Sequence, residues 1–218
     1  VEKILEKYDR ESVYRRLTGF WKWVISLAAV AFSAFQLYTA AFGVYPAQIQ
    51  RSVHIAFMLF LVFLLYPVSK KSSRTKLHWT DVVLALLGVS VGAYIVVEYV
   101  PLMYRAGLPT TLDLVFGALA ILLVLEAARR IVGLPIVIVA GACLLYALYG
   151  NYIPGMFGHR GFPLRRVITH MYVTTEGLLG LPTGVSATFV FMFILFGAFL
   201  HKTGLGKFFI NLAMAVTG

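Results

Sequence analysis

Six apolar runs, each long enough to cross a bilayer, leave this chain almost no way to fold in water. They cover residues 20–42, 46–68, 82–104, 112–128, 132–149 and 185–200. A hydrocarbon core of roughly 30 Å calls for about 20 helical residues at about 1.5 Å each. Within the runs the pattern is helical or uniformly apolar, not the polar–apolar alternation of a membrane barrel. With 60% apolar and only 13% charged residues, the chain also lacks the polar surface of a soluble domain. The sequence predicts an all-α, polytopic membrane protein of about six transmembrane helices. An amphipathic helix should precede them in residues 1–19, and an interfacial, arm-like helix should lie before the sixth.

The N-terminal stretch is charged and the first apolar run is too long for a signal peptide. It also lacks a small-residue cleavage site, so the first helix should remain as an anchor. The single cysteine, Cys143, lies in an apolar run. It can form no disulfide within the chain and is expected to be a packing residue.

A net charge of +10 would fit nucleic acid if it formed a patch, but the cations flank the apolar runs instead. Lys3, Lys7, Arg10, Arg15, Arg16 and Lys22 precede or open the first run. Lys70, Lys71, Arg74 and Lys76 fill the second loop, and Arg129 with Arg130 closes the fourth run. Only Arg51 and Arg105 fall in the alternate loops. The positive-inside rule then puts the N-terminus in the cytoplasm and makes the first four helices a unit with both ends inside. Residues 150–184 fall outside with Arg160, Arg165 and Arg166, an exception that an interfacial or re-entrant course would explain.

Thr80 or Asp81 is placed to cap the third helix, and Thr110 or Thr111 the fourth. Glu98 lies near the outer end of the third run, within reach of headgroups or of Arg105. Its other reading is a buried structural or gating carboxylate. Glu126 should pair with Arg129 and Arg130, and Gln36 should hydrogen-bond a neighbouring helix.

The five histidines form no H-E-x-x-H motif and no acidic cluster, so neither a metal site nor a cofactor is expected. Ser186, in the stretch Gly184, Val185, Ser186, Ala187, superficially resembles a nucleophile turn. It lacks the following glycine, and His201 on the same segment cannot serve it as a base. No catalytic residue is therefore assigned. With no phosphate-binding loop in the sequence, any transport must draw on an ion gradient or on parts not in this chain.

Residues 161–182 place Leu164, Val167, Ile168, Met171 and Tyr172 on one helical face, and Gly177, Gly180, Pro182 and Gly184 then break the helix. Such a segment is a connecting helix or a bracing arm. The last apolar run passes through Gly204 and Gly206 into another amphipathic stretch that stops in mid-pattern. The chain is accordingly expected to be the front part of a longer protein. Gly184, Ser186, Gly204 and Gly206 join Glu98 as candidate structural or gating positions.

The run TTEGLLGLPTGVSATFVFMFILFGAFLHKTGLGKFFINLAMAVTG resembles the early large-subunit region of tripartite ATP-independent periplasmic (TRAP) transporters. It is most similar to the fused permeases that pair with TAXI-type binding proteins. YDRESVYRRLTGFWKWVISLAAVAFSAFQLYTAAFG, QRSVHIAFMLFLVFLLYP and GLPIVIVAGACLLYALYGNYIPG resemble the same class. The resemblance implies a small-subunit-like domain over residues 20–130 and the start of a large-subunit-like permease domain over 131–218. It also implies a multi-pass protein of a prokaryotic inner membrane, in which sodium drives uptake of an organic acid. Its partners would be an extracytoplasmic substrate-binding protein, the lipid bilayer and the remainder of the permease. Substrate and ion would be held in hairpins expected beyond Gly218, leaving this region mainly as scaffold. A membrane scaffold or assembly subunit without transport is the alternative.

Overall fold

A computed structural model describes residues 14–69, 75–105 and 107–217, apart from the side chains of Lys207 and Thr217. Among these residues every regular element is helical. The long helices are α1 (Phe20–Phe42), α2 (Ala47–Leu65), α3 (Trp79–Val97), α5 (Thr111–Ile131) and α6 (Leu134–Tyr149), with the short α4 (Tyr99–Tyr104) after α3. Then come α7 (Leu164–Tyr172), α8 (Leu181–Val185), a π-helical turn (Ser186–Val190), α9 (Phe191–Thr203) and α10 (Leu205–Thr217). Six stretches among the described residues are long and apolar enough to span a membrane, the sixth being the continuous Leu181–Thr203. The amphipathic helix expected in residues 1–19 falls mostly outside the described residues, as do Lys70, Lys71 and Arg74; residues 14–18 have no regular structure.

The centre is the antiparallel pair α2 and α3, which make the most extensive contact in the protein. Small residues permit it. A Cβ on Gly88 would stand 2.7 Å from Leu59 Cβ, and one on Gly92 would stand 2.5 Å from Ala56 Cβ and 2.7 Å from the Ser52 carbonyl oxygen. Close backbone approach of this kind replaces the hydrophobic drive that two helices lack in lipid. Phe63, Leu64, Val91 and Ile95 are buried there, and Ala120, Leu123 and Tyr172 join the same core from α5 and α7. By contrast, α6 has no buried residue.

Three sequence expectations are corrected. Helix α3 ends at Val97, and a break at Glu98 separates it from α4, so the third apolar run is two helices. Neither Thr80 nor Asp81 caps α3, whose N-cap is His78 with no side-chain bond to the helix backbone; Asp81 is instead fully buried. Cys143 is exposed on α6 rather than packed. The arm-like helix expected before the sixth span is α7, anchored by Tyr172 at its end, which is buried in the helical core.

Candidate functional site

Among the described residues, inward polar side chains gather in three groups, two of which join elements distant in sequence. At one end of the bundle, Asp81 accepts from Arg15 Nη2 at 2.5 Å and from Arg130 Nη1 at 2.8 Å. The side chains of all three residues are at most 2% exposed. Arg15 also reaches the carbonyls of Phe63 and Leu64 and donates its backbone N–H to Leu65, and Arg130 donates to the Tyr66 carbonyl. Glu126 completes the group, pairing with Arg129 and Arg130 at 2.7 and 2.8 Å, as its spacing on α5 suggests. A carboxylate shared by two guanidiniums pins the N-terminal segment, α2, α3 and α5 together. Burial makes the loss of any member costly.

At the opposite end, Glu98 Oε2 and Asp113 Oδ1 each accept from Arg105 Nη2 at 2.9 Å. Thr110 caps α5 in a capping box with Asp113, whose Oδ1 also accepts from Tyr94. The Glu98–Arg105 pair expected from sequence is thus present, at the break between α3 and α4. Hydrogen bonds to both carboxylates hold the Arg105 guanidinium above its ordinary pKa.

The third group is a buried polar chain. Gln50 Nε2 donates to Thr39 Oγ1 and to Gln36 Oε1, and Gln36 Nε2 contacts His54 Nδ1 at 2.9 Å. His54 Nε2 lies 3.2 Å from Ser186 Oγ, on the first residue of the π-helical turn. Gln36 therefore bonds a neighbouring helix, as expected, but Ser186 has a histidine that sequence reading missed. The two are 132 residues apart, and no spacing motif connects them.

The pair is not set up as nucleophile and base. Because Gln36 Oε1 accepts from Gln50, its amide N–H faces His54 Nδ1. The ring proton then sits on Nε2 and donates to Ser186, whereas a general base must accept from the serine.

Three further bonds tie the C-terminal part to the first helices. Gln48 Nε2 donates to the Val173 carbonyl at 2.6 Å, Arg51 Nη1 to that of Leu179 at 2.7 Å, and Tyr172 Oη to that of Val91 at 2.7 Å. Burial pushes the Tyr172 phenol far up from its ordinary pKa and keeps it a donor. Gly184 is the residue that lets Arg51 in, since a Cβ there would stand 2.7 Å from Arg51 Nε. Gly204 ends α9 in the left-handed conformation, at φ 76°, as a C-terminal glycine does. Gly206 lies within α10 with open space where a Cβ would go. Among the described residues no group of His, Cys, Asp or Glu could hold a metal ion.

These features define a multi-pass helical membrane protein whose inward polar groups, among the described residues, join one helix to another. More specifically, residues 119–218, from the middle of α5 onward, match the family model described as tripartite ATP-independent periplasmic transporter, DctM component. Over those residues the chain is similar to the membrane component of a TRAP transporter. No curated protein and no solved structure matches the chain.

Proposed function

We propose that this chain serves as the fixed scaffold of a TRAP permease that imports an organic acid with a sodium gradient, the acid being delivered by an extracytoplasmic binding protein. The carrying observation is the tethering of the DctM-like part to the first helices. His54 to Ser186, Arg51 to Leu179, Gln48 to Val173 and Tyr172 to Val91 cross that junction at 2.6–3.2 Å. A part that moved during transport would have to break these buried or part-buried bonds in each cycle, at a cost of about 1 kcal/mol apiece. Residues 20–130 act as the small-subunit-like domain and 131–218 as the large-subunit-like side, in an inner membrane with the N-terminus in the cytoplasm. Glu98, Gly184, Ser186, Gly204 and Gly206 serve helix packing and turning rather than gating.

The test is uptake. Proteoliposomes holding the full permease, supplied with its binding protein and an inward sodium gradient, should accumulate a carboxylate substrate. Disulfide cross-links replacing the His54–Ser186 contact should leave uptake intact. Uptake abolished by the cross-link and restored on reduction would refute the fixed-scaffold reading. Absence of uptake in every condition would favour a non-transporting membrane scaffold, a reading that the same mutual pairing of buried polar groups supports.

A further inference from the structure

Helices α5 and α6 are joined by a turn through Val132 and Gly133, the latter at φ 116°, and no residue of α6 is buried. Near the other end α7 is wedged between them, leaving a cleft of about 620 Å³. Leu125 of α5, Ala140 and Leu144 of α6, and Met171 of α7 are typical of its walls. At about 30 Å³ for a water-sized group this is room for a long acyl chain, and walls so apolar offer water no partners. Both long walls belong to membrane-spanning helices, so the cleft opens to lipid, and leaving it empty would forfeit dispersion contacts along its length.

The mouth has different chemistry. Arg166 and His170 line the cleft and also line an adjoining groove of about 430 Å³, together with Arg165 and Thr169. Arg166 stacks over Phe162, 5.1 Å from the ring centre, and has no acidic partner among the described residues. Glu176 approaches only His170, at 3.6 Å, with both side chains exposed. Arg165 donates to the Pro109 carbonyl and the Thr169 hydroxyl to the Arg165 carbonyl, which leaves Arg166 and the His170 imidazole at the end of the apolar slot, a pairing that complements a phosphodiester carrying a hydrocarbon tail.

We propose that this cleft binds a phospholipid with an anionic headgroup, the acyl chain lying between α5 and α6 and the phosphate resting on Arg166 and His170. The lipid supplies the packing that α6 does not receive from protein. It also accounts for arginines at the end of the bundle where the charge rule expects none. The inference is independent of whether the permease transports.

The full protein, purified in mild detergent, is titrated with phosphatidylglycerol or phosphatidylcholine and examined by native mass spectrometry. Phosphatidylglycerol should be retained at concentrations where phosphatidylcholine is not. Arg166→Gln combined with His170→Gln should weaken its retention about tenfold, the loss of a charge-assisted contact. Ala140→Trp should abolish retention by filling the slot. As a readout that needs no variant, bound phosphatidylglycerol should slow alkylation of Cys143, which lines the cleft, and millimolar inorganic phosphate should not. Equal retention of the two lipids, undiminished retention in the double variant, or unprotected Cys143 would overturn the proposal. Protection of Cys143 without any added lipid, in delipidated protein, would show that another protein segment fills the cleft and would overturn it too.

Discussion

Asp81→Asn is the most informative single substitution, because it changes one charge and almost no volume in the most completely buried group of the protein. The carboxylate accepts from Arg15 at 2.5 Å and from Arg130 at 2.8 Å. After neutralisation Arg130 keeps Glu126 at 2.8 Å and the Tyr66 carbonyl at 3.0 Å. Arg15 keeps only carbonyl contacts of 3.3 and 3.4 Å, so the stranded charge is that of Arg15. Removing one partner of a buried ion pair costs about 3–5 kcal/mol. For a chain of this size that corresponds to a fall in Tm of roughly 6–20 °C at about 2–4 °C per kcal/mol. The assay is SDS titration in mixed micelles followed by circular dichroism, with midpoint and slope compared to wild type. Arg15→Gln in the Asp81→Asn background should recover part of the loss, a coupling of at least about 1 kcal/mol between residues in direct contact. A cost below about 1 kcal/mol for Asp81→Asn, or simple additivity of the two changes, would refute the claim that this ion group pins the N-terminal segment to the bundle.

Gly92→Val forces a Cβ to within 2.5 Å of Ala56 and 2.7 Å of the Ser52 carbonyl; it should destabilise the α2–α3 pair by about 1–3 kcal/mol in the same titration, and a neutral result would show that the pair yields. Thr110→Ala removes the capping box of α5 and should cost about 0.5–2 kcal/mol. Faster hydrogen exchange confined to the first turn of α5 is the expected signature, and unchanged protection there would count against it. Ser186→Ala deletes only the contact to His54 and should cost about 0.5–1.5 kcal/mol with transport unaffected. Complete loss of a measured activity in a variant of wild-type stability would restore the nucleophile reading.

Much of the architecture was legible because lipid enforces it residue by residue. Spans 1, 2 and 4 to 6 lie within a few residues of the apolar runs, and the bond of Gln36 to α2, the cap at Thr110 and the pairs at Glu98 and Glu126 all follow from local sequence. The misses share a cause. Asp81 sits where a helix cap belongs, and nothing near it in sequence reveals that Arg15 and Arg130, 66 and 49 residues away, converge on it. Cys143 reads as core because lipid-facing and protein-facing apolar residues have the same composition.

The sequence by itself determined that the chain is a multi-pass helical membrane protein, with six candidate spans among the described residues, because each helix satisfies its own backbone and each apolar run must leave water. Tertiary structure alone decided which polar side chains meet. His54 reaches Ser186, Asp81 gathers two distant arginines, and α5 parts from α6 to leave a lipid-sized cleft. Those outcomes depend on how helix faces rotate and approach one another. That is fixed by close contacts such as Gly92 against Ala56 and Gly184 against Arg51, not by the hydropathy that specifies the helices.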